Sequence, residues 1–372
     1  MKIMTVFGTR PEAIKMAPLV KALEREAGID SVLCVTAQHR SMLDQVLELF
    51  GLTPDYDLDI MQPEQTISGI TACVLQGMDR ILEKEQPDRV LVHGDTSTTF
   101  ATALSCFYHQ IPVGHVEAGL RTHNRYSPFP EEINRVLTGH IADLHFAPTE
   151  RNRENLLREG IPANQIFVTG NTVIDALLQV AGKPYEFRDD VLSKIDFAKK
   201  RVITVTCHRR ENLGEYMDNI FGAIGRLAGE FADVEVVYPV HLNPKVKEAA
   251  RRHLGDISNV HLIQPLAYQP FVRLMAGSYL VITDSGGMQE EAPALGKPVL
   301  VVRRETERPE AVEAGTVKLA GVERETIYEM ARTLLTDPSA YQEMARAVNP
   351  YGDGHACRRI IDVLQRGEFD AQ

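Results

Sequence analysis

LVITDSGGMQEEAPALGKPVLVV, residues 280–302, holds two apolar runs joined by a turn and a helical pattern. The first run ends at Asp284-Ser285-Gly286-Gly287, a small-residue turn. A helix carrying Glu290 and Glu291 follows; Gly296 suits its end, and Pro298 lies just beyond. Strand, turn, helix and strand in that order make a βαβ unit. Such a unit requires a parallel sheet covered on both faces.

The same alternation runs outward in both directions. KIMTVF, SVLCVTA, RVLVHG and PVGHVEA alternate with helical patterns in the first half; RVITVTCH, VEVVYPVH and VHLIQP do so in the second. At 372 residues the chain is too long for one ordinary core. The expectation is an α/β protein of two Rossmann-like, doubly wound domains, at 1–170 and 171–355, with a closing amphipathic helix at 356–372. The polar segment 181–200 reads as a connector. Ligands in this architecture bind at strand C-terminal ends, so an interdomain cleft is expected.

Composition narrows the function. Forty Lys and Arg against 51 Asp and Glu give a net charge of −11, which argues against a nucleic-acid partner. Cys34, Cys73, Cys106, Cys207 and Cys357 are scattered and never spaced CxxC. They predict reduced thiols and a cytoplasmic setting. The start, MKIMTVFGTRPE, turns polar too soon for a signal peptide, and no apolar run is long enough to span a bilayer, so no membrane partner is expected. Neither GxxxxGK[ST] nor a GxGxxG after a strand occurs, which excludes the P-loop and dinucleotide fingerprints.

The tetrapeptide Arg-Pro-Glu-Ala occurs in GTRPEAIK and again in TERPEAVE. In the first copy Thr9 and Glu12 have capping-box spacing. Arg10 then falls in the first helical turn, where free N–H groups and the dipole favour an anion, with Lys15 in reach. The local pattern leaves open a second reading, an Arg10–Glu12 salt bridge on a solvated face. Pro18 predicts a kink or break. In the opening stretch, Ser285, Gly286 and Gly287 suit close approach to a phosphate, and an acid one turn into the helix can hold sugar hydroxyls. Acids and histidines gather at other strand ends: His93, Asp95, His115, Glu117, His123, Glu131, Glu132, His208 and His241. None has HExxH or paired-cysteine spacing, so acid–base work ranks above a metal site.

These stretches resemble the non-hydrolysing UDP-N-acetylglucosamine 2-epimerases nearly end to end. The resemblance rests on GTRPEAIKMAPL, PVGHVEAGLRT, TGNTVIDAL, HRREN, PVHLNP, TERPEAVEAGTVKL and NPYGDG among others. It implies a GT-B-like arrangement and a cytoplasmic homodimer that interconverts UDP-GlcNAc and UDP-ManNAc without metal or other cofactor. It further implies elimination of UDP to a 2-acetamidoglucal and re-addition, supplying ManNAc units for surface polysaccharides. Carried over by position, Asp95, Glu117 and Glu131 form the acid/base set, and His208 assists the leaving diphosphate. Arg10, Ser285, Gly286 and Gly287 bind phosphates with Lys15 close by. Glu291 holds the ribose, Phe271 lies by the uracil, and Arg308 contacts substrate from the second domain. Two departures stand out. Cys207 precedes His208 where the family has a small residue. At a regulatory site of some members, Gln38 is kept while Ser41 and Glu64 replace a Gln and an Arg, which puts activation by UDP-GlcNAc in doubt. The competing readings are a GT-B glycosyltransferase, a nucleotide-sugar sensor and a hydrolysing epimerase.

Overall fold

The computed structural model describes residues 1–37, 40–61 and 65–366. The chain divides into two compact units, Met1–Ala176 with the segment from Tyr351 onward, and Leu177–Pro350. Each is built on one parallel sheet.

The first unit contains β1 (Lys2–Phe7), β2 (Asp30–Val35), β3 (Tyr56–Asp57), β4 (Arg89–His93), β5 (Val113–Val116), β6 (Leu144–Ala147) and β7 (Ile166–Val168). Their spatial order is β3-β2-β1-β4-β5-β6-β7. The second contains β8 (Arg201–Thr206), β9 (Val234–Pro239), β10 (Val260–Ile263), β11 (Leu280–Thr283), β12 (Val299–Val301) and β13 (Val317–Leu319), in the order β10-β9-β8-β11-β12-β13. The α/β expectation of two parallel sheets therefore holds. Strand order reverses between β1 and β4 in one sheet and between β8 and β11 in the other. A crevice opens at such a point because the flanking connections leave to opposite faces.

The strands read as continuous apolar runs because both faces are covered. Ile3, Met4, Val6 and Phe7 of β1 and Leu280, Val281 and Ile282 of β11 are wholly buried. Each such side chain contributes about 1.5–3 kcal/mol by leaving water. The helix Arg10–Leu23 passes through Pro18, so of the kink or break expected from its missing N–H, the break does not occur. Met16, Ala17, Leu19, Val20 and Leu23 around it are fully buried. Their burial outweighs the roughly 3 kcal/mol that an interior proline costs.

The segment expected to be a polar connector is also more than that. Phe187 stacks on Phe197 at 5.4 Å, and Leu192 packs with Val202, Val237, Ile263 and Leu274 beneath one face of the second sheet. Its apolar residues follow neither a helical nor a strand period, so no pattern betrayed them. The helix Ala356–Gln365 closes the first unit: buried Asp175 accepts from the backbone N–H of Ala356 at 3.1 Å and of Cys357 at 3.0 Å. This replaces hydrogen bonds that a helix start lacks. All five cysteines are free, and among the described residues no helix is long and apolar enough to cross a membrane.

His115 on β5 and His145 on β6 are register partners and fully buried. Burial pushes His115 down to about 3 and His145 down to about 4 from the ordinary 6.5. Both therefore fold neutral, and their contribution is complete above pH 6.5 and lost as pH falls toward about 4. Urea unfolding of the wild type should show a midpoint that declines over this window, by up to about 1.4 kcal/mol per pH unit for each histidine. The decline should be shallower in His145→Gln. An identical slope in both proteins would remove His145 from the cause.

Candidate functional site

The chemistry of the first unit collects at its β1/β4 crevice. Gly8 ends β1 where nothing larger fits: a Cβ there would stand 2.1 Å from Thr36 Oγ1 and 2.6 Å from Thr98 Oγ1. Glu12 is buried behind this turn. Its Oε2 accepts from Gly8 N (3.1 Å), Thr9 N (2.8 Å) and Thr9 Oγ1 (2.7 Å). Its Oε1 accepts from Thr96 Oγ1 (2.7 Å) and Thr99 Oγ1 (3.1 Å). Burial raises the Glu12 pKa, and these hydrogen bonds oppose that rise. With both oxygens engaged, Glu12 is not the partner of Arg10. Arg10 opens the helix Arg10–Leu23 and has no hydrogen bond or ion pair among the described residues. The salt-bridge reading of this stretch fails.

Three carboxylates sit on the other side of the crevice. Glu117 follows β5 in a left-handed conformation, φ 61°. It pairs with Lys15 and accepts from Asn171 Nδ2 at 2.8 Å, while His93 Nε2 lies 3.8 Å from the same oxygen. Burial pushes His93 down to about 4, so this imidazole is neutral. Asp95 accepts from Arg135 Nη2 at 2.6 Å, and its backbone carbonyl accepts from Asn134 Nδ2 at 3.0 Å. Burial raises the Asp95 pKa, Arg135 opposes it, and Glu117 and Glu131 add to the rise. Glu131 is the first residue of the helix Glu131–Ile141 and has no partner among the described residues. Its neighbour Glu132 has a scaffold task, accepting from the backbone of Thr122 at 3.1 Å and of His123 at 2.8 Å.

The second unit repeats the arrangement at its β8/β11 crevice. Asp284, fully buried after β11, uses Oδ2 to accept from the backbone of His208 (2.7 Å) and Arg209 (2.8 Å), and from Asn212 Nδ2 (3.1 Å). Its Oδ1 lies 3.3 Å from His208 Nδ1. The His208 ring stacks on His241 at 5.3 Å and 14°. Burial lowers the His208 pKa, Asp284 opposes that, and His241 and Arg209 add to it.

Ser285, Gly286 and Gly287 lead into the helix Met288–Ala294, which carries Glu290 and the partly buried Glu291. Gly287 has ordinary helical angles, φ −62° and ψ −37°. A Cβ on Gly287 would crowd Glu291 Oε1 at 3.3 Å, whereas one on Gly286 would stand in ordinary contact, 3.9 Å from Arg209 Nη2. Arg308 pairs with buried Glu290, and its N–H donates to Thr306 Oγ1 at 3.0 Å. Phe271 is partly buried on the helix Tyr268–Gly277.

The two Arg-Pro-Glu-Ala copies are not built alike. Thr9 caps the first helix and Arg10 lies inside it, whereas Arg308 itself occupies the cap position before Pro309. The capping box expected of Thr9 and Glu12 is present, but sequence reasoning did not assign Arg135, Asn171 or the organising role of Asp284. One signal was available: Arg135 stands four residues after Glu131, on the same helical face. Among the described residues no cluster of three His, Cys, Asp or Glu could hold a metal. Gln38, Glu64 and the side chain of Ser41 lie outside the described residues.

Comparison with known proteins agrees with this layout. The profile of the family described as UDP-N-acetylglucosamine 2-epimerase matches residues 21–365. The UDP-N-acetylglucosamine 2-epimerase of Bacillus subtilis is 60% identical over 364 residues, 98% of this chain and 95% of that protein. The crystal structure of a putative UDP-N-acetylglucosamine 2-epimerase from Listeria monocytogenes superposes with a TM-score of 0.93 at 52% identity, covering 98% of this chain and 95% of that one. The Neisseria meningitidis UDP-GlcNAc 2-epimerase bound to UDP-GlcNAc gives 0.86 at 51% identity, covering 99% and 100%. Paired crevices, a three-carboxylate cluster and this likeness along nearly the whole chain lead to one conclusion: the chain belongs to the UDP-N-acetylglucosamine 2-epimerase family, and is an isomerase.

Proposed function

We propose that the chain interconverts UDP-GlcNAc and UDP-ManNAc at C2, with the acid/base groups and Arg10 in the first unit and the other UDP-binding groups in the second. The observation that carries this reading is the gathering of Asp95, Glu117 and Glu131 beside Lys15 at one crevice. The C2 hydrogen of the sugar has no adjacent carbonyl, so direct deprotonation is very hard. Departure of UDP with the C1–O electron pair gives C1 oxocarbenium character and acidifies C2–H. A carboxylate takes that proton, and the C2–H electrons form the C1=C2 bond of 2-acetamidoglucal. Protonation of C2 from the opposite face and return of UDP to C1 complete the inversion. The reaction needs carboxylates that exchange protons and groups that receive the diphosphate charge.

Arg10, the N–H groups and hydroxyl of Ser285-Gly286-Gly287, and His208 supply the latter. His208 rests with a lowered pKa, Nδ1 toward Asp284. A diphosphate beside Nε2 favours the imidazolium, which donates from both nitrogens. Glu291 takes the ribose hydroxyls, Phe271 the uracil edge, and Arg308 the substrate through its position beside Glu290. A homodimer is part of this reading. It is supported by exposed Phe107 and Tyr108 at the end of the helix Ser97–Tyr108 and by Ile133 and Leu137 on the helix Glu131–Ile141. The cytoplasm, where nucleotide sugars are made, is the proposed setting, and ManNAc for surface polysaccharide the proposed use.

Incubation with UDP-GlcNAc alone in D2O, followed by NMR, tests the reaction. UDP-ManNAc deuterated at C2 is expected. Free ManNAc would instead indicate hydrolysis, and a requirement for an added acceptor would sink the proposal in favour of a transferase.

Asp95→Asn, Glu117→Gln and Glu131→Gln should each lower turnover by about 10²–10⁴-fold while UDP binding by calorimetry survives. Near-normal rates in all three would refute the acid/base set.

Arg10→Ala should weaken UDP binding by about 10–100-fold, the scale of one charge-assisted hydrogen bond. An unchanged Kd would take Arg10 out of the phosphate site.

A further inference from the structure

The proton state of Asp95 is contested by its surroundings. Burial, Glu117 and Glu131 favour the protonated form, while Arg135 and Lys15 favour the ionised one. Lys15 is already paired with Glu117. Arg135 stands differently. Its side chain is only 6% exposed. Nη2 donates to Asp95 Oδ2 at 2.6 Å, and Nη1 donates to the Leu120 carbonyl at 3.3 Å. Nη1 also lies 3.4 Å from Glu132 Oε2, and Glu132 is itself tied to the backbone of Thr122 and His123. Arg121 donates to the same Leu120 carbonyl but is committed to Glu159 by two bonds of 2.7 Å.

Two consequences follow from this geometry. Guanidinium keeps its proton at any pH the protein survives, so Arg135 cannot relieve its burial by becoming neutral. Its charge has to be met by Asp95 and Glu132. The fork also engages only Oδ2. The Asp95 side chain retains 28% exposure, and Oδ1 has no partner among the described residues. One oxygen is pinned and the other is presented.

We infer that Arg135 is a positioning residue that holds Asp95 ionised and turns its Oδ1 outward, making Asp95 the resting base of the acid/base set. The inference rests on the epimerase reading above. In the step it serves, the C2 proton passes to Oδ1, the C2–H electron pair becomes the C1=C2 bond, and UDP leaves C1 with the C1–O pair. Protonation of Asp95 leaves Arg135 facing a neutral carboxyl. The proton is thereby held weakly, as a reversible reaction requires. The same helix that carries Glu131 into the crevice carries Arg135 behind it. Its placement thus sets the charge of one carboxylate while delivering another.

The test is the pH dependence of kcat/KM for UDP-GlcNAc with the full-length wild type, Arg135→Gln and Arg135→Lys. An opposite charge at this distance lowers a carboxyl pKa by about 1–3 units, so the acid limb of Arg135→Gln should move to higher pH by about that amount. On the acid limb of both proteins its rate should therefore be about 10–1000-fold below wild type, and the two should converge as pH rises. Arg135→Lys should keep its limb near the wild-type position. A purely scaffolding arginine would lower the rate equally at every pH, and an unmoved limb in Arg135→Gln would overturn the inference.

If Arg135→Gln shows no cooperative melt, the wild type decides. With ¹³C-carboxyl aspartate, the resonance missing from Asp95→Asn is that of Asp95. It should report an ionised carboxylate at pH 7; a protonated one overturns the inference. This titration needs no turnover. A wild type that fails to epimerise sinks the reaction reading, and the Asp95 resonance still judges the role of Arg135.

Discussion

A buried carboxylate bridges the two strand ends at the crevice of each sheet, and the loops around it depend on that bridge. A parallel sheet whose strand order reverses leaves backbone N–H groups at the strand termini pointing into the gap. In the first unit Glu12 gathers those of Gly8 and Thr9 together with hydroxyls from the helix after β4. In the second, Asp284 gathers those of His208 and Arg209. The two acids come from different elements, one from a helix and one from a strand end, and arrive at the same solution. Each is satisfied by several hydrogen bonds, the condition under which a buried carboxylate is tolerable.

Because these acids absorb the backbone donors, the remaining polar groups are free for chemistry. Arg10 is spared by Glu12. The His208 ring is aimed by Asp284 and steadied by His241. Asp95 and Glu117 are each set against a different cation, Arg135 and Lys15. The arrangement separates Glu12 and Glu132, whose carboxylate oxygens both accept hydrogen bonds, from Asp95, whose Oδ1 has no partner among the described residues. Glu131 and Glu132 show the division within two consecutive residues of one helix turn.

Much of this was legible beforehand. Strand and helix alternation gave two parallel sheets because apolar runs and helical patterns are strong signals over short windows. The acidic composition argued against a nucleic-acid partner, and the missing motifs against a P-loop or dinucleotide site. The acids and histidines at strand ends marked the site residues as candidates. What stayed hidden depends on tertiary partners. Glu12 reads as a capping-box acid and Glu290 as a helix acid, yet both are nearly inaccessible. Arg135 looks like an ordinary helix residue until Asp95 is brought beside it. The helix unbroken at Pro18 and the packed Phe187–Phe197 segment show packing prevailing over local propensity. The repeated Arg-Pro-Glu-Ala shows the opposite case, a shared string placed one helical position apart in its two settings.

Glu117 occupies left-handed backbone, where a residue with a side chain sits about 1–2 kcal/mol above the helical or extended basins. Glycine would relax that tension and abolish the carboxylate in one change. Under the proposed reaction turnover would favour the carboxylate, whereas relief of the strain would have to outweigh the lost Lys15 ion pair and Asn171 hydrogen bond before stability favoured glycine.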